Sequence, residues 1–397
     1  MLSPLGPGYL QGVRMDFKLT REQQDIRKAA REFAEGEFPE MAQVCDQEEK
    51  YPRELVKKAA ELGFIGLNLP EKYGGSGYGY LEKCIVSEEF WRVDPGLGSV
   101  LISATFGADM IELYGREEQK ERFLTPLTRG EAVMGSAITE PDAGSDVSAV
   151  RTTAVKDGND YLINGNKMFI TNGTVASYFM VICLTNPHDP SRHGRHSVIL
   201  LESDREGFEA NKLRHKLGIR ASDTAELAFK DVRVPQENLI GEEGKGFYQF
   251  MEFFNRTRIH VGAQGLGIAQ GAMEKAIKYA KERKQFGQVL GAFQAIQFKV
   301  AEMATLVRAA RNLVYEAAWK ADQGEPDRKL TAMAKWFAGE TAVRVAEEAV
   351  QIHGGYGYMA EYDVERFYRD AKIIEIYEGT KEIEKLIIAR ALLKDPT

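Results

Sequence analysis

The sequence predicts a multi-domain α+β protein: an N-terminal helical domain, a middle antiparallel β domain and a C-terminal helical bundle. Three observations predict it. The 397 residues exceed what one small core accommodates. Apolar residues recur at helical spacing before about residue 127 and again after about residue 244. Between those limits lie short β-rich runs separated by turn residues, with no long helical pattern.

Residues 1–14 (MLSPLGPGYLQGVR) read as a flexible extension. They lack a long apolar run and an Arg-rich amphipathic pattern, so they make a poor signal or transit peptide. The helical domain is expected over 15–127. Thr20 is placed to cap its first helix, and Ile26, Ala29, Ala30 and Phe33 mark one buried face. Turn residues in LPEKYGGSGYGY (69–80) interrupt the pattern, which resumes at Glu82 and again over 116–123.

The β domain is expected over 128–243. Tyr161, Leu162 and Ile163, then Asn164-Gly165, then Met168, Phe169 and Ile170 give a hairpin signal. Further strands are expected at 178–184, 197–201 and 225–234. The bundle is expected over 244–397, with long helical patterns and short linkers near 287–292 and 322–328 that make its helices antiparallel neighbours. Leu330, Met333 and Phe337 illustrate one core stripe.

Hydrophobic residues at 44% and charged residues at 28% fit an ordinary globular protein. No apolar run approaches the ~20 residues of a membrane helix. A formal net charge of −7 gives no general attraction to nucleic acid or to an anionic membrane. Cys45, Cys84 and Cys183 lie far apart without metal or CxxC spacing, which fits a reducing compartment. His188, His193 and His196 read as loop histidines, so no metal is expected.

Five motifs could carry chemistry, and each has a plain structural alternative. Ala137–Asp146 (AITEPDAGSD) packs hydroxyls, carboxylates and a glycine into a loop that could serve a polar ring or a phosphate, or could be a capped turn. Phe169-Ile170-Thr171-Asn172-Gly173 could meet a flat ring, or could be a core Phe followed by an exposed turn. Arg283–Gly287 (RKQFG), with Gln294 beyond it, could bind phosphate, or could reflect the helix dipole. Gln351–Gly357 (QIHGGYG) could let backbone approach a ligand, or could end a helix. Glu378, in Tyr377–Thr380 (YEGT), could be a carboxylate aimed into a site, or solvated. Gly265-Leu266-Gly267, with Gly271, lacks a preceding strand and reads as close helix packing rather than a dinucleotide loop.

Together and in this order, the five motifs resemble the acyl-CoA dehydrogenase family, over about Met15 to Leu393. The resemblance implies the family fold, with a C-terminal four-helix bundle, and a homotetramer built as a dimer of dimers with FAD at a dimer interface. It implies that Ser136, Ile138, Thr139, Gly144 and Ser145 hold the flavin, Ser145 also touching the CoA moiety. Phe169 and Ile170 would lie against the flavin, and Thr171 would bond near N5. Many relatives carry Trp at position 169. Arg283, Phe286, Phe293 and Gln294 would bind the ADP half of FAD from the neighbouring subunit. Gln351, Gly354 and Gly355 would approach the adenosine–pyrophosphate region, with Thr380 and Glu382 also against the cofactor. Asn255, Arg256 and Arg258 would line the CoA channel, although some relatives carry Asp at position 255. Gly379 would touch the substrate.

By the same resemblance Glu378 is the catalytic base. Some relatives place a carboxylate at the position of Thr257; here it is Thr, which leaves Glu378. The implied reaction oxidises an acyl-CoA to a trans-2-enoyl-CoA, with electrons passed to an electron-transfer flavoprotein. A reductase running in reverse and an oxidase keep the same motifs. Residues 98–106 match the helix at the pocket floor. No Arg occurs there, which disfavours a dicarboxylic acyl group, and Phe106 stands to shorten the pocket. The cytoplasm of a bacterium or archaeon is the expected location, ahead of a mitochondrial matrix.

Overall fold

The computed structural model describes residues 18–394, so the reading of residues 1–14 lies outside the described residues. The N-terminal helices are α1 (Arg21–Glu37), α2 (Pro39–Gln47), α3 (Arg53–Glu61), α4 (Tyr80–Val93), α5 (Pro95–Ser103), α6 (Ala108–Tyr114) and α7 (Glu117–Thr128). Thr20 caps α1 through a capping box with Gln23, an arrangement worth about 1 kcal/mol. The buried face of α1 is Ala30, Phe33 and Ala34. Ala29, expected on that face, is exposed and Ile26 is half-buried, because the stripe that meets α4 begins one position later.

The middle strands are β1 (Met134–Ala137), β2 (Thr153–Asp157), β3 (Asp160–Thr171), β4 (Tyr178–Leu184), β5 (His196–Glu202), β6 (Phe208–Lys212), β7 (Thr224–Pro235) and β8 (Leu239–Ile240). Their order is β6-β7-β3-β2-β4-β5-β8, with β1 beside β4. Pairing is mostly antiparallel. The exceptions are β1 with β4 and a single β2–β4 pair, both parallel.

The hairpin is not where Asn164-Gly165 pointed. β3 runs straight through both residues, and the turn is Gly158-Asn159, between β2 and β3. Asn164-Gly165 instead marks a register shift against β7, with Gly165 at φ 146°. A Cβ there would sit 2.6 Å from Thr152 Oγ1, so only glycine allows the strands this close. A second shift, between Lys167 and Ile170, proves important for the site.

The C-terminal elements are α8 (Gly246–Glu282), the short hairpin β9 (Lys284–Gln285) and β10 (Gln288–Val289), α9 (Gln294–Asp322), α10 (Arg328–His353), α11 (Val364–Ala371) and α12 (Lys381–Lys394). α8 packs against α4, α9 and α10, and much of its length is buried. Gly265, Gly267 and Gly271 do serve close packing. A Cβ at Gly265 would lie 2.9 Å from Ala338 O, and one at Gly267 would lie 2.6 Å from Glu88 O. The facing stripe of α10 is Ala334, Ala338, Ala342 and Ala346, all fully buried, whereas Met333 and Phe337 are only half-buried. Small residues on both faces bring the two helix axes close, and this sets what lies between them.

Cys45, Cys84 and Cys183 are buried free thiols. His196 is not a loop residue: it opens β5 and is buried, and burial lowers its pKa. Among the described residues no cluster of His, Cys, Asp or Glu could hold a metal, and no helix is long and apolar enough to cross a membrane.

Candidate active site

Glu378 lies in the short connection between α11 and α12. Its backbone is left-handed, with φ 56°, and Gly379 follows at φ 101°. Such a conformation costs a non-glycine residue roughly 1–2 kcal/mol, so its surroundings must hold it. Thr257 on α8 is 1% exposed, and its hydroxyl donates to Glu378 Oε2 at 2.6 Å. Arg258 Nε donates to the Glu378 carbonyl at 2.9 Å, and Lys335 Nζ on α10 donates to the Gly379 carbonyl. Glu384 on α12, fully buried, pairs with Arg258 Nε at 3.0 Å. Beside the base, the Tyr377 hydroxyl bonds to Gln264 Oε1.

Burial pushes the Glu378 carboxyl above its ordinary pKa, against the Thr257 hydrogen bond and the charges of Arg258 and Lys335. The result is a carboxylate of raised basicity with a half-open approach, the character a proton-abstracting base requires. Burial also pulls Lys335 down and pushes Glu384 up; the Glu384 and Glu378 carboxylates restrain the first shift, and Arg258 and Lys335 restrain the second.

A second group gathers around β1, β3 and the loop after β1. The register shift in β3 puts Phe169 at φ 61° and turns its ring outward, 68% exposed. A bulge that re-aims one side chain is a common device beside a site. Thr139 and Thr171 are half-buried, while Gly144 and Ser145 are exposed. The loop is braced from beneath by Lys167, which donates to Ile138 O and to Glu140 Oε1, both at 3.0 Å. Glu140 in turn accepts from the backbone N–H groups of Arg151 and Thr152. Burial favours neutral forms of both, but their pairing and these N–H donors hold Glu140 below its ordinary value. Asn172, at φ 63° and fully buried, donates to Ser103 O and Met134 O, tying α5 to β1.

Not every predicted contact is available to a side chain. Ser136, Ile138 and Ile170 are buried, and the Ser136 hydroxyl already donates to Phe106 O, so these residues could offer a ligand only backbone. Asn255 and Arg256 are half-buried, with Arg256 Nη1 on the Tyr80 hydroxyl at 3.1 Å. Arg258 departs from the expectation of a channel residue. It is 8% exposed and turned behind the base, because a buried guanidinium needs Glu384 and the Glu378 carbonyl as partners.

A third group stands apart. About 39 Å of helix axis separates Thr257 from Arg283, at the end of α8. There Phe286 and Gly287, both at positive φ, form the two-residue turn between β9 and β10. Phe286 is 93% exposed and meets Phe293 edge-on at 6.2 Å. Arg283 lies over Tyr356 at 5.4 Å. Gln294, Gln351, Gly354 and Gly355 are exposed, with open space beside both glycines. Thr380 and Glu382 open α12 nearer the base; Thr380 is half-buried and Glu382 exposed.

Family models match three successive regions: the acyl-CoA dehydrogenase N-terminal domain over residues 20–131, the middle domain over 135–232 and the C-terminal domain over 244–393. The chain belongs to the acyl-CoA dehydrogenase family. Acryloyl-CoA reductase (NADH) of Anaerotignum propionicum is 48% identical over 383 residues, 96% of this chain and 97% of that protein. The butyryl-CoA dehydrogenase structure from Megasphaera elsdenii superposes with a TM-score of 0.91 at 43% identity, covering 96% of this chain and 100% of that one. A chain from the structure described as the electron transferring flavoprotein of Acidaminococcus fermentans, in connection with flavin-based electron bifurcation, gives a TM-score of 0.93 at 45% identity, covering 96% and 100%.

The family's three-domain fold is what the sequence predicted, and the chain is an oxidoreductase of that family, similar to a butyryl-CoA dehydrogenase. The sequence motifs did not reach Lys167, Lys335 or Glu384. Glu140 and Asn172 lay within two of the motifs, Asn172 before a glycine and suited to the left-handed region. The others are charged residues in ordinary helical or strand patterns, and their burial depends on tertiary packing.

Proposed function

We propose that the protein catalyses α,β-dehydrogenation of a short-chain acyl-CoA to the trans-2-enoyl-CoA, with FAD as cofactor and Glu378 as base. The observation that carries this is the Glu378 carboxylate: half-buried, held by Thr257, and set on a strained backbone that aims it.

The residues present fit FAD. The outward Phe169 ring offers an apolar face to a flat heterocycle; the Met168 N–H bond to the Thr139 carbonyl brings Thr139 to the segment of Phe169 and Thr171, and Ser145 lies further along the same loop. The open backbone at Gly354-Gly355 and the exposed Arg283 guanidinium suit a pyrophosphate. Arg283 stands about 39 Å along α8 from Thr257, which holds Glu378. That separation supports a cofactor shared between neighbouring subunits of a homotetramer. When bound, FAD supplies a two-electron acceptor for the hydride of the substrate β carbon.

The chain's own part is the proton. Glu378 removes it from the α carbon while its backbone N–H polarises the thioester oxygen, so enolate charge develops against a fixed dipole. The C–H pair electrons form the new double bond as the hydride leaves. The segment that the family resemblance assigns to the pocket floor is tightly packed. A Cβ at Gly98 would lie 2.8 Å from Trp91 Cδ1, and Phe106 packs on Phe253 at 5.5 Å. The floor carries no cation between residues 98 and 106, so a second carboxylate would be unpaired. An electron-transfer flavoprotein is the proposed acceptor and the cytoplasm the proposed location.

Anaerobic titration with a panel of saturated acyl-CoA thioesters, following the visible flavin band, tests the reading. Short chains should bleach the band fully; a colourless protein, or a band that no thioester changes, overturns it. The acryloyl-CoA reductase relative favours one second reading, the same site run towards the saturated thioester. Reoxidation of the reduced enzyme by an enoyl-CoA, in competition with an artificial acceptor, separates the two directions.

A further inference from the structure

We propose that Lys335 is a positioning residue for the base: it clamps the Gly379–Thr380 peptide, one unit past the Glu378 carbonyl that Arg258 holds, and so fixes the backbone that directs the carboxylate and its N–H. This rests on the reading of Glu378 as base.

Two successive carbonyls, those of Glu378 and Gly379, each accept from a buried cation, and the cations come from different helices. Arg258 on α8 takes the first and Lys335 on α10 takes the second. Lys335 is fully buried, a costly place for an ammonium. Any turn carbonyl would satisfy one of its donors. The one it takes belongs to the residue after the base, at the second of two consecutive positive φ angles. A connection with this backbone relaxes unless both peptide units are held, and the Thr257 hydroxyl holds only the side chain.

Charge balance explains how the ammonium survives there. Glu384 is also fully buried and lies against the same peptide: a Cβ at Gly379 would sit 2.3 Å from its Oε1. The Glu384 and Glu378 carboxylates favour the Lys335 ammonium, against burial and the neighbouring Arg258 charge. The close α8–α10 approach, set by Gly265 against Ala338, brings the two cations to either side of one connection. Glycine at 379 is then required twice, for its φ and for the room Glu384 takes.

The test compares wild type, Lys335→Met, which keeps the length and removes the donor, and Lys335→Arg, which restores one. Each is purified with its flavin. Hydrogen exchange is followed in peptides spanning 376–384. The maximal rate and half-saturating concentration of flavin bleaching by butyryl-CoA are measured anaerobically. The expected result for Lys335→Met is retained flavin absorbance, faster exchange confined to that segment, and a maximal rate lower by roughly tenfold to a hundredfold with little change in half-saturation. Partial recovery in Lys335→Arg supports a donor role. Wild-type exchange and wild-type rate in Lys335→Met overturn the proposal, as does a rate loss that only tracks lost flavin. If wild type itself never bleaches, the base assignment fails instead, and the exchange data still decide whether Lys335 clamps the connection.

Discussion

The Thr257 hydroxyl sits 2.6 Å from Glu378 Oε2, and among the described residues it is the one side chain that hydrogen-bonds the carboxylate. It opposes burial, which raises the Glu378 pKa. The relationship sets a sign. Activity that needs the carboxylate deprotonated rises with pH through the Glu378 pKa. Thr257→Val removes a stabiliser of the charged form, so the acidic limb of flavin reduction moves to higher pH. A hydrogen bond to a charged group makes the loss about tenfold at pH values below the limb, with the plateau less affected. Stopped-flow bleaching across pH checks this; an unmoved limb contradicts it.

Lys167 and Glu140 form a buried pair beneath the loop that carries Thr139 and Ser145. Lys167→Met leaves the carboxylate without its cation and should destabilise the protein by about 3–5 kcal/mol. Adding Glu140→Gln removes the stranded charge and should recover part of that loss. Thermal melts of wild type, both single variants and the double variant give the cycle, and flavin content gives the effect on the loop.

Phe169 spends most of its surface on solvent rather than on the core. Phe169→Ala should therefore leave apoprotein stability within about 0.5 kcal/mol. FAD should be lost more readily on dilution or gel filtration. A large stability loss with normal FAD retention would assign the ring to packing instead.

Arg283 and Glu378 sit at sites that one chain cannot bring together, so a shared cofactor predicts complementation. Arg283→Ala and Glu378→Gln chains, each inactive alone, should recover about a quarter of wild-type activity when dissociated and reassembled as a mixture. Half of the pairs are mixed, and each mixed pair has one intact site of two. No recovery after verified exchange contradicts sharing.

Much of the architecture was legible in the sequence because it rests on local pattern. The Thr20 cap, the helical periodicity of α8 to α10 and the strands around 178–184 and 225–234 are local features. The Asn164-Gly165 misreading shows the limit. A turn dipeptide and a bulge glycine look alike until the partner strand is known, and β7 made it a bulge. In the site, Glu378 stood out only through its motif. Lys335, Glu384 and Lys167 did not stand out at all: a charged residue in a helical or strand pattern reads as solvated, and only tertiary contact reveals the partner that keeps it buried. Arg258 follows the same rule: its burial behind the base depends on Glu384 and the Glu378 carbonyl, which no local pattern reveals.

The central claim is that one carboxylate, at residue 378, takes the substrate's α proton. Single-turnover flavin reduction by butyryl-CoA in Glu378→Gln addresses it most directly. Normal flavin content, retained thioester binding and a reduction rate lower by roughly four orders of magnitude are expected, at the upper end of what one positioned base contributes. Reduction at close to the wild-type rate would contradict it.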